Sequence, residues 1–244
     1  MVKVLKKVPA PERDRLGQLV VLQDPIPGRW LELVTAHPDR QVVAWDTARN
    51  TVAGVGLTCP LSWSGHAAEL PGSFAELFKS GLSGTRKPTV LVGVYVIVLV
   101  SYRSRRLASD IVRAMWSQGA SEDHESFLVL ARPKGKANYP LVPIEEYIRW
   151  VGSDDHPVDD WLRLHSKLGG RIIGTCPRAS VYRAPLAAWE DRYGRRFTES
   201  GEHIVEHALA PLAVDAVARV GEYAEPNVWI CYDCDSPKLV RHST

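Results

Sequence analysis

The chain has 244 residues, 45% of them apolar, and a formal net charge of +2 at neutral pH. This length suits one large domain or two small ones, and the composition is that of a folded globule, which excludes wholesale disorder. Eighteen glycines without a period and only four cysteines exclude collagen-like and disulfide-scaffold proteins. The small net charge does not indicate a dedicated nucleic-acid binder, and no apolar run reaches the roughly 20 residues of a membrane-spanning helix.

The ends of the chain differ in composition from its middle. Residues 1–16 are basic and contain two prolines, which predicts a flexible N-terminal arm. Because this segment lacks the apolar core of a signal peptide, we expect a cytoplasmic protein. Residues 17–232 show no repeat and no linker and predict a single domain, while 233–244 predict a polar C-terminal tail.

The first half of the predicted domain alternates short helices with β-rich runs. Trp30–Val34 predicts a helix that ends before Pro38. Residues 41–46 and 51–59 predict two strands joined by a hairpin turn, and Phe74–Leu82 predicts the next helix.

The strongest strand signal is Thr89–Val100, TVLVGVYVIVLV. It is apolar on both faces, so we expect it at the centre of a covered sheet. The basic loop Ser101–Arg106 follows, and apolar residues then recur at helical spacing from Leu107. A helix that begins directly after a buried strand directs unpaired N–H groups at one spot, where they bind anions such as a pyrophosphate.

The second half predicts further elements of both kinds around a buried strand at Phe127–Ala131. The helix predicted after an Asp159 or Asp160 cap places His165 on its apolar stripe and stops at Gly169. The other predicted helices and strands are Pro143–Trp150, Arg171–Cys176, Pro185–Tyr193, Ala213–Val220 and Asn227–Tyr232. Together these elements predict one mixed α/β domain.

The stretch Val94–Ala108 resembles the acyl-CoA-binding segment of the GNAT (GCN5-related N-acetyltransferase) superfamily, in which a strand is followed by R/Q-x-x-G-x-G/A. Arg103 matches the first position of this motif and Ala108 the last, whereas Arg106 replaces a glycine and Val100 stands where proline is common. Glycine lets the backbone approach a phosphate, so Arg106 is expected to crowd the phosphate or to add a charge contact. The single phosphate of a carrier-protein phosphopantetheine tolerates that change better than a pyrophosphate does.

The resemblance extends over Trp30–Trp229, most specifically to the GNAT-like domains of polyketide and related natural-product pathways. The segments that carry it are Arg132–Trp150, Trp161–Arg178, Glu199–Gly201 and Glu225–Trp229. It implies an α/β (α+β) GNAT fold with a central mixed, splayed sheet flanked by helices, and extra C-terminal helices. The positions implied to hold the phosphopantetheine arm are Val98, Val100, Arg103, Ser104, Arg105, Arg106, Leu107 and Ala108.

The resemblance also implies direct attack of an amine on a thioester, with no covalent enzyme intermediate. Backbone N–H groups near Val98 polarise the thioester carbonyl in this scheme. His165 matches an active-site position of the branch and is the predicted base, since its ordinary pKa near 6.5 suits proton transfer at neutral pH. Its alternative is a packed histidine. Tyr139 is the predicted acid for the leaving thiol, and its alternative is an interfacial tyrosine.

Lys134 is a further predicted catalytic residue, and Arg132, Arg178 and Trp63 are predicted to bind the substrate. Each of these residues except Arg132 has a structural alternative. In decarboxylating members of the branch, a residue with a hydroxyl follows shortly after the position of Arg132. This chain has Lys134 there, which either pairs with a substrate carboxylate or is a solvated loop lysine. Arg178 suits an acyl carboxylate or a carrier phosphate, or is a surface arginine. Trp63 forms a pocket wall or belongs to the core.

Several functions remain open at this stage. The first is acyl transfer from a CoA or acyl-carrier-protein thioester to a small-molecule amine in natural-product biosynthesis. The second is a malonyl-type thioester decarboxylase or S-acyltransferase that loads a carrier protein, and the third is a non-catalytic carrier-protein-binding module. An aminoacyl-tRNA-dependent transferase is a weaker fourth, because a net charge of +2 gives little support for RNA binding.

No tightly bound cofactor is expected, since acyl-CoA or acyl-phosphopantetheine is a substrate in all these schemes. No membrane partner is expected either. Cys231 and Cys234 supply half of a zinc ligand set without a second pair, so no metal is predicted.

Overall fold

The computed structural model describes residues 2–4, 29–103, 106–121, 124 and 126–232. Within these ranges nine strands belong to one sheet: β1 (Val2–Val4), β2 (Val42–Asp46), β3 (Thr51–Leu61), β4 (Val90–Val98), β5 (Ser126–Ala131), β6 (Arg171–Pro185), β7 (Gly201–His203), β8 (Leu212–Asp215) and β9 (Val220–Tyr232). The same ranges contain six α-helices: α1 (Arg29–Ala36), α2 (Phe74–Ser83), α3 (Leu107–Ser121), α4 (Ile144–Tyr147), α5 (Asp160–Lys167) and α6 (Leu186–Tyr193).

The strands follow the order β1-β2-β3-β4-β5-β9-β8-β7, and β6 also pairs with β9. Among the named strands, β4 and β5 form a parallel pair, whereas the other pairs are antiparallel. The sheet is therefore mixed and flanked by helices, as the sequence predicts. A run that is apolar on both faces belongs at its centre, and β4 lies there with helices over each face.

The two faces of the sheet carry separate hydrophobic clusters. One face packs under α1 and α2, through residues such as Leu33 and Phe78. The opposite face packs under α3 and α5, through residues such as Met115 and Leu162. Around α6 a third cluster covers the C-terminal strands. We call the face under α1 and α2 the α2 face of the sheet, and the face under α3 and α5 the α3 face.

Local sequence signals explain where two of the helices begin and end. The Ser73 hydroxyl accepts a hydrogen bond from the Glu76 N–H at 3.2 Å and starts α2, which ends at Gly84 with a φ of +60°. The Asp159 carboxylate accepts from the Trp161 and Leu162 N–H groups, each at 3.0 Å, and starts α5 as predicted.

Three predicted elements differ from the structure. The predicted single strand Ala213–Val220 is wrong, because the chain turns after Asp215 and re-enters the sheet as β9 at Val220. The strand predicted to end at Cys176 continues to Pro185, since β9 pairs along its length. Val2–Val4, predicted as part of the arm, pair with β2 as an edge strand. The rest of segment 1–16 and the tail 233–244 lie outside the described residues.

The pairing of β4 with β5 stops halfway along both strands. Val90–Gly93 pair with Ser126–Val129, but β4 continues to Val98 and β5 to Ala131 without further pairing between them. In the register between β3 and β4, Val94 is skipped, which is a β-bulge. A bulge bends its strand, so β4 turns away from β5 and a gap opens in the middle of the sheet.

No helix in the described part of the chain is long and apolar enough to cross a membrane.

Candidate active site

A cavity of about 650 Å³ occupies the gap between β4 and β5. Its walls come from Gly93–Val98 of β4 and from the residues that end β5 and follow it. Met115 and Trp161 line it from the α3 face, whereas Phe74 and Tyr95 line it from the α2 face, where their rings stack with centroids 6.1 Å apart. The cavity therefore passes through the sheet. Its polar lining consists of Arg103, Arg132, Lys134, Asp160, Tyr182, Glu225 and Asn227.

The edge of β4 that faces the cavity carries backbone N–H groups. The Leu99 N–H donates to the Ala53 carbonyl of β3 at 3.0 Å. Hydrogen-bonded and non-hydrogen-bonded pairs alternate along an antiparallel ladder, so the N–H groups of Val96 and Val98 point away from β3. They point toward the cavity, at the place predicted for the groups that polarise the thioester.

The predicted phosphate-binding loop lies at the N-terminus of the 15-residue helix α3. Arg103 and Ala108 line the cavity, and the Arg103 Nε lies 3.5 Å from the Val98 carbonyl oxygen. Val100 is 75% exposed, in a short 3₁₀ helix that precedes the loop. Leu107 is partly buried in the first turn of α3. Ser104 and Arg105 lie outside the described residues.

Arg106 adopts a left-handed backbone conformation directly before α3. Its φ is +54°, a value that glycine adopts readily and that strains residues with a Cβ. The loop thus has a conformation that favours glycine, the residue that the motif has at this position, and the exposed Arg106 side chain adds a cation beside the helix N-terminus.

His165 is 0% exposed and does not line the cavity. Its Nδ1 lies 2.7 Å from the Tyr232 hydroxyl, while its Nε2 has no hydrogen-bond partner in the described part of the chain. Burial lowers the pKa of His165 to about 3, so the imidazole is neutral at physiological pH. Trp161 packs edge-on against the imidazole with centroids 4.6 Å apart, and it is Trp161 that reaches the cavity.

Lys134 and Arg132 both reach the cavity from the segment that follows β5. Lys134 is exposed and begins a 3₁₀ helix, whose next residue, Gly135, donates its N–H to Asp159 at 2.7 Å. That bond ties the start of this 3₁₀ helix to the residue that caps α5. The Arg132 Nε lies 2.9 Å from a Glu225 carboxylate oxygen, and its Nη2 donates to the His207 carbonyl at 3.2 Å.

The other three predicted site residues lie outside the cavity lining. Tyr139 is 47% exposed and packs against Trp150 with centroids 5.0 Å apart. Trp63 belongs to the core of the α2 face, 8% exposed, and its indole N–H donates to a backbone carbonyl at 2.8 Å. Arg178 is exposed and pairs with Glu222 at 2.8 Å.

Sequence reasoning did not assign Glu225 and Asn227 to the site. The signal that points to them is the segment Glu225–Trp229, in which polar residues at i and i+2 come just before the buried apolar end of β9 and therefore share one face. The Glu225 carboxylate also accepts a hydrogen bond from the Tyr223 hydroxyl at 3.1 Å, and burial raises the pKa of that tyrosine.

A second cavity, of about 460 Å³, lies at the opposite end of β4. Arg40, Arg86 and Lys87 make it basic, but it contains none of the predicted site residues. Within the described residues, no group of three or more His, Cys, Asp or Glu side chains is arranged to hold a metal ion.

The chain is similar in sequence to the arginine N-acetyltransferase avaD of Aspergillus versicolor, with 29% identity over 203 residues that cover 73% of this chain and 68% of that protein. No protein-family model matches.

Two solved structures resemble the fold over nearly its whole length. The loading GNATL domain of CurA from Lyngbya majuscula has a TM-score of 0.62 at 14% identity, over 96% of this chain and 97% of that one. The GphF GNAT-like decarboxylase, in complex with isobutyryl-CoA, has a TM-score of 0.59 at 15% identity, over 96% and 99%. These likenesses confirm the fold that the sequence predicted.

Proposed function

We propose that this chain is an acyltransferase of the GNAT superfamily and transfers an acyl group from a pantetheine thioester to the amine of a small molecule. The observation that carries the proposal is the gap between β4 and β5. It joins the arginine-bearing N-terminus of α3 to a polar pocket on the other face of the sheet. A thioester in this gap meets donor N–H groups on one side and charged side chains on the other.

The donor arm fits along the free edge of β4. Its phosphate lies at the N-terminus of α3, where unpaired N–H groups and the positive end of the helix dipole favour anions, assisted by Arg103 and Arg106. Both CoA and a carrier-protein phosphopantetheine have a phosphate that could bind there. We include a carrier-protein donor and a role in natural-product biosynthesis in the proposal.

Reaction requires a neutral amine, so a base must first remove a proton from the ammonium. The Glu225 carboxylate faces the cavity and accepts that proton in our scheme. The amine nitrogen then attacks the thioester carbon, and the N–H groups of Val96 and Val98 bind the oxyanion that forms. When the carbon–sulfur bond breaks, the Lys134 ammonium stabilises the leaving thiolate and protonates it.

His165 and Tyr139 enter this scheme indirectly. His165 supports Trp161, which forms the cavity wall, while Tyr139 packs against the aromatic cluster behind the Lys134 segment. If His165 is instead the base, His165→Ala slows amide formation by roughly two to four decades, as Glu225→Gln is expected to do in our scheme. The pH profile of kcat separates the two roles, because a positioning residue leaves its midpoint unchanged.

The acceptor is proposed to be an α-amino acid. The curated relative is an arginine N-acetyltransferase, and the Arg132–Glu225 pair presents both signs of charge to the cavity, as a zwitterionic acceptor requires. The test is mass spectrometry of the protein incubated with acetyl-CoA or an acetylated carrier protein together with arginine and other amines. A product heavier by one acetyl group supports the proposal; acetyl-CoA binding with no acceptor acylated contradicts it.

A second candidate function is decarboxylation of a malonyl thioester followed by carrier loading. The two cations at the end of β5, Arg132 and Lys134, are suited to a malonyl carboxylate. Release of CO₂ from malonyl-CoA that disappears in Lys134→Ala supports this function, while wild-type protein that releases none excludes it.

A further inference from the structure

Glu225 and Asn227 lie on the α2 face of the sheet. In β9, Trp229 and Cys231 belong to the cluster of the α2 face, whereas Val228 and Ile230 belong to that of the α3 face. Since side chains alternate along a strand, Asn227 and Glu225 share the α2 face. The predicted phosphate loop is on the opposite face, at the start of α3.

Pro226, between these two residues, explains why the strand opens here. In the pairing of β6 with β9, Cys176 lies opposite Asn227 and Ser180 lies opposite Glu225, so β6 bulges past Pro226. A proline has no N–H to give to the ladder, so the bulge leaves no backbone donor of β9 unpaired at that residue.

The side chain of Asn227 is only 1% exposed, and its Oδ1 has no hydrogen-bond partner among the residues that the structure describes. The residue also lines the cavity. A buried amide normally has its donors and its acceptor satisfied, and leaving them unsatisfied lowers stability. Asn227 thus carries a cost in the folded protein that a bound molecule would relieve.

The groups next to Asn227 indicate the chemical class of the molecule that would bind there. Glu225 provides a carboxylate held by Tyr223, and Arg132 provides a guanidinium 2.9 Å from it. An asparagine amide adds one acceptor and two donors. An ammonium pairs with Oδ1 and Glu225, and a carboxylate pairs with Nδ2 and Arg132. This is the pattern of hydrogen bonds that the head of an α-amino acid offers.

We propose that Asn227 is a specificity-determining residue that reads the α-amino-acid head of the acceptor, and that the donor arm does not contact it. The inference rests on the proposed function and deepens it, since it assigns the acceptor class to one side chain.

The experiment compares arginine with agmatine, which has the same guanidinium and chain but no carboxylate. Wild-type protein is expected to prefer arginine in kcat/KM, and Asn227→Ala is expected to reduce that preference roughly ten-fold, mainly through the KM of arginine. The KM of acetyl-CoA stays within about two-fold, because in this inference the donor arm does not contact Asn227. Because the variant removes an unsatisfied amide, the Tm of the ligand-free protein does not fall.

The matched control is Glu222→Gln on the same strand. Glu222 also pairs with an arginine, at 2.8 Å, but it lies outside the cavity lining, so this variant keeps the wild-type preference. An unchanged preference in Asn227→Ala, or a parallel loss of acetyl-CoA affinity, overturns the inference while the proposed function stands. A fall in Tm shows a structural role and overturns it too. Wild-type protein that acylates no amine ends both.

Discussion

His165 shows how one side chain connects burial with pH-dependent stability. The folded protein holds it neutral, with its pKa lowered to about 3 by burial, while the unfolded chain binds a proton below the ordinary value of 6.5. Acidification from pH 6.5 toward pH 3 therefore favours the unfolded state. At pH 5, about 1.5 units below the unfolded pKa, the loss is about 2 kcal/mol, whereas at pH 7 it is small.

This loss is measured by urea unfolding of the wild type and of His165→Gln at pH 7 and pH 5. The glutamine variant keeps a hydrogen-bonding group near Tyr232 but cannot titrate, so its free energy of unfolding is expected to fall by about 2 kcal/mol less between the two pH values. Equal losses in both proteins would show that the imidazole titrates normally in the fold.

Arg106 provides a second prediction, about backbone strain. A left-handed backbone conformation raises the free energy of a residue with a Cβ by about 1 kcal/mol or more. Arg106→Gly is therefore expected to stabilise the protein by about 1 kcal/mol. Chemical unfolding measures this gain. Arg103→Gly is the control: Arg103 has a φ of −60°, so glycine there brings no relief and destabilises. If the Arg106 side chain crowds a phosphate, Arg106→Gly also lowers the KM of acetyl-CoA.

The sequence pattern does not show how deeply each candidate site residue is buried. Helical spacing placed His165 and Trp161 on one stripe, but spacing cannot show which of them stops at the core and which reaches a cavity. Glu225 and Asn227 were recognisable only as part of a motif, because their role depends on the gap in the sheet. A gap that results from a bulge at Val94 has no residue signature of its own.

At the scale of elements, two glycines of β3, Gly54 and Gly56, let α3 approach the sheet closely. A Cβ on Gly56 would lie 2.6 Å from both Ile111 and Met115 of α3, well inside contact distance. Gly56→Ala is therefore expected to lower the free energy of unfolding by about 1–3 kcal/mol. Because Met115 and Ala108 of the same helix line the cavity, the variant also raises the KM of acetyl-CoA.

Gly174→Ala on β6 is the matched control, since a Cβ there meets no atom of the described residues within 4 Å. Urea unfolding and initial-rate kinetics on both variants test the prediction. If Gly56→Ala is as stable as Gly174→Ala, then α3 is not held at this distance by β3.

The predicted elements succeeded where the signal was local. The helix that begins at Phe74, the cap at Asp159 and the apolar run of β4 were each predicted from a few neighbouring residues. The hairpin between β8 and β9 was missed because its turn lacks glycine: Asp215 instead accepts hydrogen bonds from the Val217 and Ala218 N–H groups, at 3.0 and 2.8 Å. A turn that is stabilised by a side chain and lies within an apolar stretch has the sequence pattern of one continuous strand.

At the scale of the whole molecule, the proposed donor site joins three elements that are distant in sequence: the end of β4, the start of α3 and the end of β5. A ligand that binds only the folded state stabilises it by an amount set by its concentration relative to Kd. CoA at about 100 times its Kd is thus expected to raise the free energy of unfolding by about 2.7 kcal/mol. Thermal shift and isothermal titration measure this gain and the Kd.

The same measurement with 4′-phosphopantetheine separates the two donor classes. If the loop at Arg103 recognises one phosphate, as a carrier-protein donor requires, phosphopantetheine binds nearly as tightly as CoA, and Arg103→Ala weakens both by a similar factor. If it recognises a pyrophosphate, phosphopantetheine binds at least roughly ten-fold more weakly, because one charge-assisted contact of about 1.5 kcal/mol or more is lost. Stabilisation by neither ligand would contradict a donor arm in the gap between β4 and β5.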